Sequence, residues 1–215
     1  MRAAGTVCAA VDAVLAGEAR NAFCAVRPPG HHAAAANTMG FCVFNNVAVG
    51  VEPARQVHGL KRVAVVDFDV HHGNGTEAIF RSDPDVMVAS IHPSHIFPRS
   101  ADSSEAGAGN IVNVPLARDT PAEDFRTAFE QKILPRLMEF APELLFVSAG
   151  FDAHLRDPLG DQRLMTADFA WLTNLLVAVA DTHCDGRLVS ALEGGYDPDA
   201  AAHAGAAHIG ALMRH

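Results

Sequence analysis

Arg62-Val63-Ala64-Val65-Val66-Asp67-Phe68-Asp69-Val70-His71-His72-Gly73-Asn74-Gly75 is the most informative segment of the chain. Arg62–Phe68 is rich in valine, with no polar residue between Arg62 and Asp67. A strand with one wet face would alternate. A continuous apolar run fits a strand covered on both faces, as in parallel sheets. The run then meets two acids and two histidines. Side chains alternate along a strand with period two. Asp67, Asp69 and His71 therefore point the same way if the extended geometry continues past Phe68.

Outward from this strand, helical and apolar segments alternate. Upstream, Val7, Val11, Val14 and Leu15 recur at helical spacing and predict an amphipathic helix over Ala3–Ala19. Asp12 interrupts the apolar run, which argues against a signal peptide. A strand at Phe23–Val26, a loop at Arg27–Met39 and a helix from Asn45 follow. Downstream the pattern predicts a short helix, Gly75–Arg81, and strands at Val86–Ile91 and Ile111–Val114. A loop rich in Pro, Ser and Gly, Pro93–Asn110, separates those two strands. A helix at Pro121–Phe140 has proline in its first turn. Strand Glu143–Ser148, helix Thr166–Cys184, strand Arg187–Leu192 and helix Pro198–Met213 complete the chain. Apolar strands followed by helices predict an α/β fold with a parallel sheet covered on both faces. Ligands in such folds bind beyond the carboxyl ends of the strands.

The chain has 215 residues, which suits one domain over 1–215. Hydrophobic residues make up 49% and charged residues 19%, a composition that builds a core. The formal net charge is −9 and no Lys/Arg run exists, which argues against direct nucleic-acid binding through phosphates. No stretch approaches the roughly 20 apolar residues of a membrane span. Cys8, Cys24, Cys42 and Cys184 form no C-x-x-C pair and read as reduced thiols of a cytoplasmic protein.

Several strand ends carry residues that need explaining. Two carboxylates on one face of a buried strand end are costly unless a cation answers them. Asp69 and His71 offer the oxygen and nitrogen ligands of a catalytic zinc. Asp152, after the strand Glu143–Ser148, is the best third ligand in that context; alone it would read as a helix cap or turn. The segment Arg27-Pro28-Pro29-Gly30-His31-His32 sets two histidines on a rigid loop. They read either as acid–base groups or as a surface or metal-binding pair. Asp67 and Asn74 could orient the two rings by accepting their N–H bonds. Tyr196, the single tyrosine, follows Gly194-Gly195 after the strand Arg187–Leu192. It reads as a turn residue or as a donor to a developing oxyanion.

Taken together, Arg27–Ala33 (RPPGHHA), Gly40–Asn46 (GFCVFNN), Val66–Thr76 (VDFDVHHGNGT), Ser148–His154 (SAGFDAH), Asp157–Gly160 (DPLG) and Leu192–Asp197 (LEGGYD) resemble the histone deacetylase superfamily and its bacterial relatives, including acetylpolyamine amidohydrolases. The resemblance implies a three-layer, doubly wound α/β sheet of the arginase/deacetylase-like kind. It implies zinc bound by Asp69, His71 and Asp152, and ferrous iron suits the same ligands. His31 with Asp67 becomes the electrostatic member of the histidine pair. His32 with Asn74 becomes the general base and acid, Asn74 resembling the class II branch. Tyr196 becomes the transition-state donor. Gly40, Phe41, Phe97 and Leu159 become tunnel walls around an acyl-amine stem. A structural potassium ion is implied near Asp67, Asp69, His71, Ser90 and Ile91, and a second monovalent site near Phe80, Asp83 and Val86. The implied substrate is an acetylated lysine or a small acetylated amine.

Three departures shape these expectations. The pattern starts in mid-family, which predicts an N-terminally incomplete domain with an exposed sheet edge, prone to poor solubility or homo-oligomerisation. Arg99 in Ile96-Phe97-Pro98-Arg99-Ser100 stands where the family usually has glycine. Leu159 stands where polyamine-selective relatives of eukaryotic type carry an acidic gatekeeper, which leans towards a neutral stem. Two competing readings are an inactive metal-binding remnant and a two-manganese ureohydrolase, the latter ill-suited to Tyr196 with His31 and His32.

Overall fold

The computed structural model describes residues 1–99 and 107–214. The expected loop Pro93–Asn110, Ser100 included, falls partly on 100–106, outside the described residues. The elements are α1 (Arg2–Leu15), β1 (Asn21–Cys24), α2 (Asn46–Gln56), β2 (Val63–Asp67), α3 (Asn74–Phe80), β3 (Val86–Pro93), β4 (Ile111–Leu116), α4 (Ala122–Ala128), α5 (Leu134–Phe140), β5 (Leu144–Ala149), α6 (Thr166–His183), β6 (Leu188–Leu192) and α7 (Pro198–Leu212).

All six strands are parallel, in the order β1-β6-β5-β2-β3-β4. β2 sits inside the sheet between β3 and β5, and every one of its residues is buried. That is why its valines show no alternation. Val63 and Val65 turn to one face and pack with Val7 and Val11 of α1 and Val47 and Val51 of α2. Ala64 and Val66 turn to the other face, in the core built from Phe125 of α4, Leu137 of α5, and Phe169 and Leu172 of α6. The result is the three-layer, doubly wound α/β architecture. Connections run outward in both directions from β2 and β5, so the switch point of the sheet lies between them. Among the described residues no helix is long and apolar enough to cross a membrane.

Two expectations about local geometry need correction. The helix expected over Pro121–Phe140 is interrupted by a π-helical turn at Phe129–Ile133 before α5 begins. Pro135 lacks an N–H and its ring crowds the carbonyl four residues back, so the ladder widens rather than continuing as α-helix. The extended geometry of β2 stops at Asp67 and does not reach His71. Instead the chain bends twice. The Asp69 amide donates to Asp67 Oδ1 at 3.0 Å, and the His71 amide donates to Asp69 Oδ1 at 2.8 Å. These Asx-type turns, not a pleat, gather the acids and His71.

Candidate active site

Parallel strands place all their carboxyl ends on one rim of the sheet, and the rim carries the site. The register sets Asp67 at the end of β2 beside Ser148 of β5 and Ser90 of β3. From there Asp69, His71 and Asp152 converge until a ligand atom of each lies within 4.8 Å of the others. His71 Nδ1 stands 3.0 Å from Asp69 Oδ1 and 3.1 Å from Asp152 Oδ2. Ligand atoms around a tetrahedral zinc with bonds of about 2.1 Å stand roughly 3.4 Å apart, close to this spacing. Backbone amides fix the other carboxylate oxygens. Gly194 N donates to Asp69 Oδ2 at 2.7 Å, and Val70 N donates to Asp152 Oδ1 at 2.9 Å.

The electrostatics of this trio fit a cation. Both carboxylates are fully buried. Burial pushes Asp152 up to about 7, and the neighbouring Asp69 charge adds to it. Burial by itself would lower the His71 imidazole, but hydrogen bonds and charge from Asp152 and Asp69 raise it to about 10. Asp69 resists its own burial because His31 and His71 face it, and it stays strongly acidic. Two buried acids that drag an imidazole that far upward make a field a divalent ion would answer.

The loop after β1 brings in the histidine pair. α3 begins at Asn74, and the amides of Gly75 and Thr76 donate to the His31 carbonyl at 3.0 and 3.1 Å. Asn45 caps α2 through Ala48 N and also donates to the Ala33 carbonyl, which ties the loop to that helix. His31 Nδ1 donates to Asp67 Oδ2 at 2.9 Å, and His32 Nδ1 donates to Asn74 Oδ1 at 2.8 Å. Burial opposes a charge on His31, but Asp69 and Asp67 overcome it and hold the ring well above its ordinary value. Burial and the His31 charge push His32 down to about 3. One imidazole is therefore held protonated and its neighbour neutral.

A cavity of about 350 Å³ opens over these groups, lined by His31, His32, His71, Tyr196 and the apolar walls Gly40, Phe41, Ile96, Phe97 and Leu159. The four expected wall residues thus share one cavity, and Ile96 joins them. Phe97 and Leu159 are about half exposed, and Phe41 more so. The Phe97 ring meets His32 edge-on with centroids 5.1 Å apart, and Phe41 lies 5.9 Å from the Tyr196 ring. Burial, then the charges of Asp69 and Asp152, raise the Tyr196 phenol, so it keeps its proton as a donor.

Sequence reasoning left Glu193 without a role. It is fully buried and accepts from Gly30 N at 2.6 Å, His31 N at 3.1 Å and Ser148 Oγ at 3.1 Å. It clamps the histidine loop to β5 and β6. Its signal was its place beside Gly194 and Tyr196 in the Leu192–Asp197 segment. His31, Cys42 and Glu193 also draw within 4.8 Å of one another. There Glu193 is already satisfied, and burial pushes the Cys42 thiol up to about 11, so the trio reads as packing. The residues expected around potassium occupy one neighbourhood, with Ser90 opposite Asp67 in register and Ile91 next along β3. The carbonyls of Phe80, Asp83 and Val86 also converge, but a side chain stands at their focus. Asn110 Nδ2 donates to them at 2.8, 2.9 and 2.7 Å.

Known proteins resemble this chain over nearly its whole length. The family model for the histone deacetylase domain matches residues 1–212. The chain is 44% identical to the histone deacetylase-like amidohydrolase of Pseudomonas aeruginosa, covering 90% of this chain and 52% of that one. It is also 44% identical to the human polyamine deacetylase HDAC10, covering 90% and 30%. The crystal structure of the HDA15 HD domain superposes with a TM-score of 0.92 at 36% identity, covering 99% of this chain and 61% of that chain. The chain thus spans between 30% and 61% of the length of these three proteins. With the match running over nearly every residue, the chain belongs to the histone deacetylase domain family.

Proposed function

We propose that this chain is a zinc-dependent deacylase that hydrolyses an N-acetyl amide, with acetyl-lysine or a small acetylated amine as substrate. One observation carries the reading: His71, which draws together with Asp69 and Asp152 as a trio of metal-type ligands, lines the same apolar-walled cavity as the histidine pair His31 and His32. Asp69, His71 and Asp152 would hold the zinc ion, which when bound polarises an acyl carbonyl and acidifies water. Ferrous iron suits the same ligands. A structural potassium ion beside Asp67, Asp69, His71, Ser90 and Ile91 belongs to the same reading.

The chain's own groups divide the remaining work. Asn74 accepts from His32 Nδ1, which leaves Nε2 as a lone-pair nitrogen facing the cavity. His32 takes the proton of the attacking water and later delivers one to the leaving amine. His31, raised by the charges of Asp69 and Asp67 and hydrogen-bonded to Asp67, supplies positive charge beside it. Tyr196 donates to the oxyanion that forms on the acyl carbon. Phe41, Phe97 and Leu159 enclose the methylene stem and exclude water. The products are a free amine and acetate. The apolar Leu159 favours a neutral stem, whereas a second ammonium, as on a polyamine, would find no carboxylate there. The free thiols support a reducing compartment such as the cytoplasm.

The test is acetate release from an acetyl-lysine peptide and from an acetylated polyamine. Expected are loss with a chelator, recovery with zinc, and a fall of roughly 100- to 1000-fold in Tyr196→Phe. A folded, zinc-loaded chain that releases acetate from neither substrate would establish a metal-binding remnant instead.

A further inference from the structure

Tyr196 follows Gly194 and Gly195, and Gly195 takes φ +138°, a backbone state that side-chain-bearing residues rarely adopt. Two glycines give the phenol no intrinsic placement, so something else must fix it. Upstream, Gly194 N is tied to Asp69 Oδ2 at 2.7 Å. Downstream, the fixing group is Asp157, a nearly buried acid in the loop between β5 and α6. Its Oδ2 accepts from Tyr196 N at 2.6 Å and Asp197 N at 3.3 Å. Its Oδ1 accepts from Leu159 N at 2.9 Å and Gly160 N at 3.3 Å. Gly160 in turn lies against the carbonyl of Asp152, where any Cβ would overlap.

We propose that Asp157 is a positioning residue that locks the Tyr196 phenol to the Leu159 wall of the cavity, one carboxylate oxygen for each segment. The inference rests on the deacylase reading for its kinetic consequence, but not for its geometry. A carboxylate offers two acceptor oxygens, each able to take two N–H groups, and hydrogen bonds to an ionised acceptor are the strong kind. An asparagine has one acceptor oxygen and an NH₂ group. It can keep one arm and must set N–H against N–H at the other. Asp157→Asn is therefore a near-isosteric cut of the link, with the rest of the site untouched. Asp157 donates nothing to substrate and does not line the cavity, so it acts only through the two segments it joins.

The experiment is a double-variant cycle together with a direct measurement on the wild-type chain. Asp157→Asn is expected to lower kcat roughly 10- to 100-fold, the cost of a misplaced catalytic group. In a Tyr196→Phe background the same change is expected to cost less than about threefold, because the group it positions is already gone. Equal fold-losses in both backgrounds would overturn the proposal, since a general structural role is additive. In wild-type protein, NMR couplings across hydrogen bonds are expected from the amide nitrogens of both Leu159 and Tyr196 to the Asp157 side-chain carbon. Couplings from one segment alone would overturn it, whether or not the variant folds. If the wild-type chain hydrolyses nothing, the functional reading fails while the couplings still decide the clamp.

Discussion

His31 and His32 stand side by side with ring centroids 4.0 Å apart, yet one is held protonated and the other neutral. The charges of Asp69 and Asp67 raise His31, while burial and the His31 charge lower His32, whose partner Asn74 carries no charge to oppose them. Asn74→Asp would give His32 an anionic partner and raise its pKa by about one to three units. A general base must be neutral to work, so a higher pKa leaves it protonated at higher pH. The acidic limb of the pH profile of kcat/KM is expected to move upward by that amount. A profile that does not move would remove His32 from the role of base.

Asp152 joins the site from β5, and its loss should be felt first as metal loss. Asp152→Ala leaves one acid and one imidazole, too few ligands for a tight zinc site. After dialysis, elemental analysis is expected to find about one zinc per wild-type chain and far less in the variant. Acetate release should fall at least about 100-fold. Retention of stoichiometric zinc would place the ion elsewhere.

Leu159 bears on substrate choice. It is half exposed at the cavity wall, where a carboxylate would remain hydrated and could pair with a second ammonium. Leu159→Glu is expected to raise kcat/KM for an acetylated polyamine relative to an acetyl-lysine peptide by roughly two- to fivefold, the energy of a half-exposed ion pair. Competition between the two substrates in one reaction measures the ratio directly. An unchanged ratio would mean that this wall does not discriminate.

His208 does not line the cavity and bears on stability in acid. It is fully buried on α7, bonded to Thr173 Oγ1 at 2.7 Å and Ser190 Oγ at 2.8 Å. Burial lowers it to about 4. The unfolded chain therefore binds a proton at higher pH than the folded chain does. Stability is full above the ordinary histidine value near 6.5 and falls as pH drops towards about 4. The span corresponds to up to about 3 kcal/mol. Urea unfolding between pH 7 and pH 4 should show this slope, flattened in His208→Asn. An equal slope in both proteins would assign the acid sensitivity to other groups.

Much of the fold was legible because burial writes itself into local sequence. β2 shows no alternation since both of its faces are covered. The expected helices and strands fall within a few residues of the observed ones, α1 differing most, because caps and prolines mark their ends. The π-turn before α5 was not legible, since the local pattern stays helical and only Pro135 disturbs the ladder. The metal-type residues Asp69 and His71 stood out by density, although the expected pleat gave way to two turns. Asp152 was ambiguous by itself and acquired meaning only beside them.

Local sequence was enough for the layered α/β class, the buried strands and the inventory of chemical groups at their ends. Those follow from backbone periodicity and from the cost of leaving acids and imidazoles uncompensated. Which of those groups meet depends on how the chain folds back on itself. Glu193 holds an amide 163 residues away, and Asp157 holds one 39 residues away. Nothing in local spacing encodes such pairings. They arise because six parallel strands stack their carboxyl ends on one rim, where low dielectric makes each contact strong enough to set a charge state.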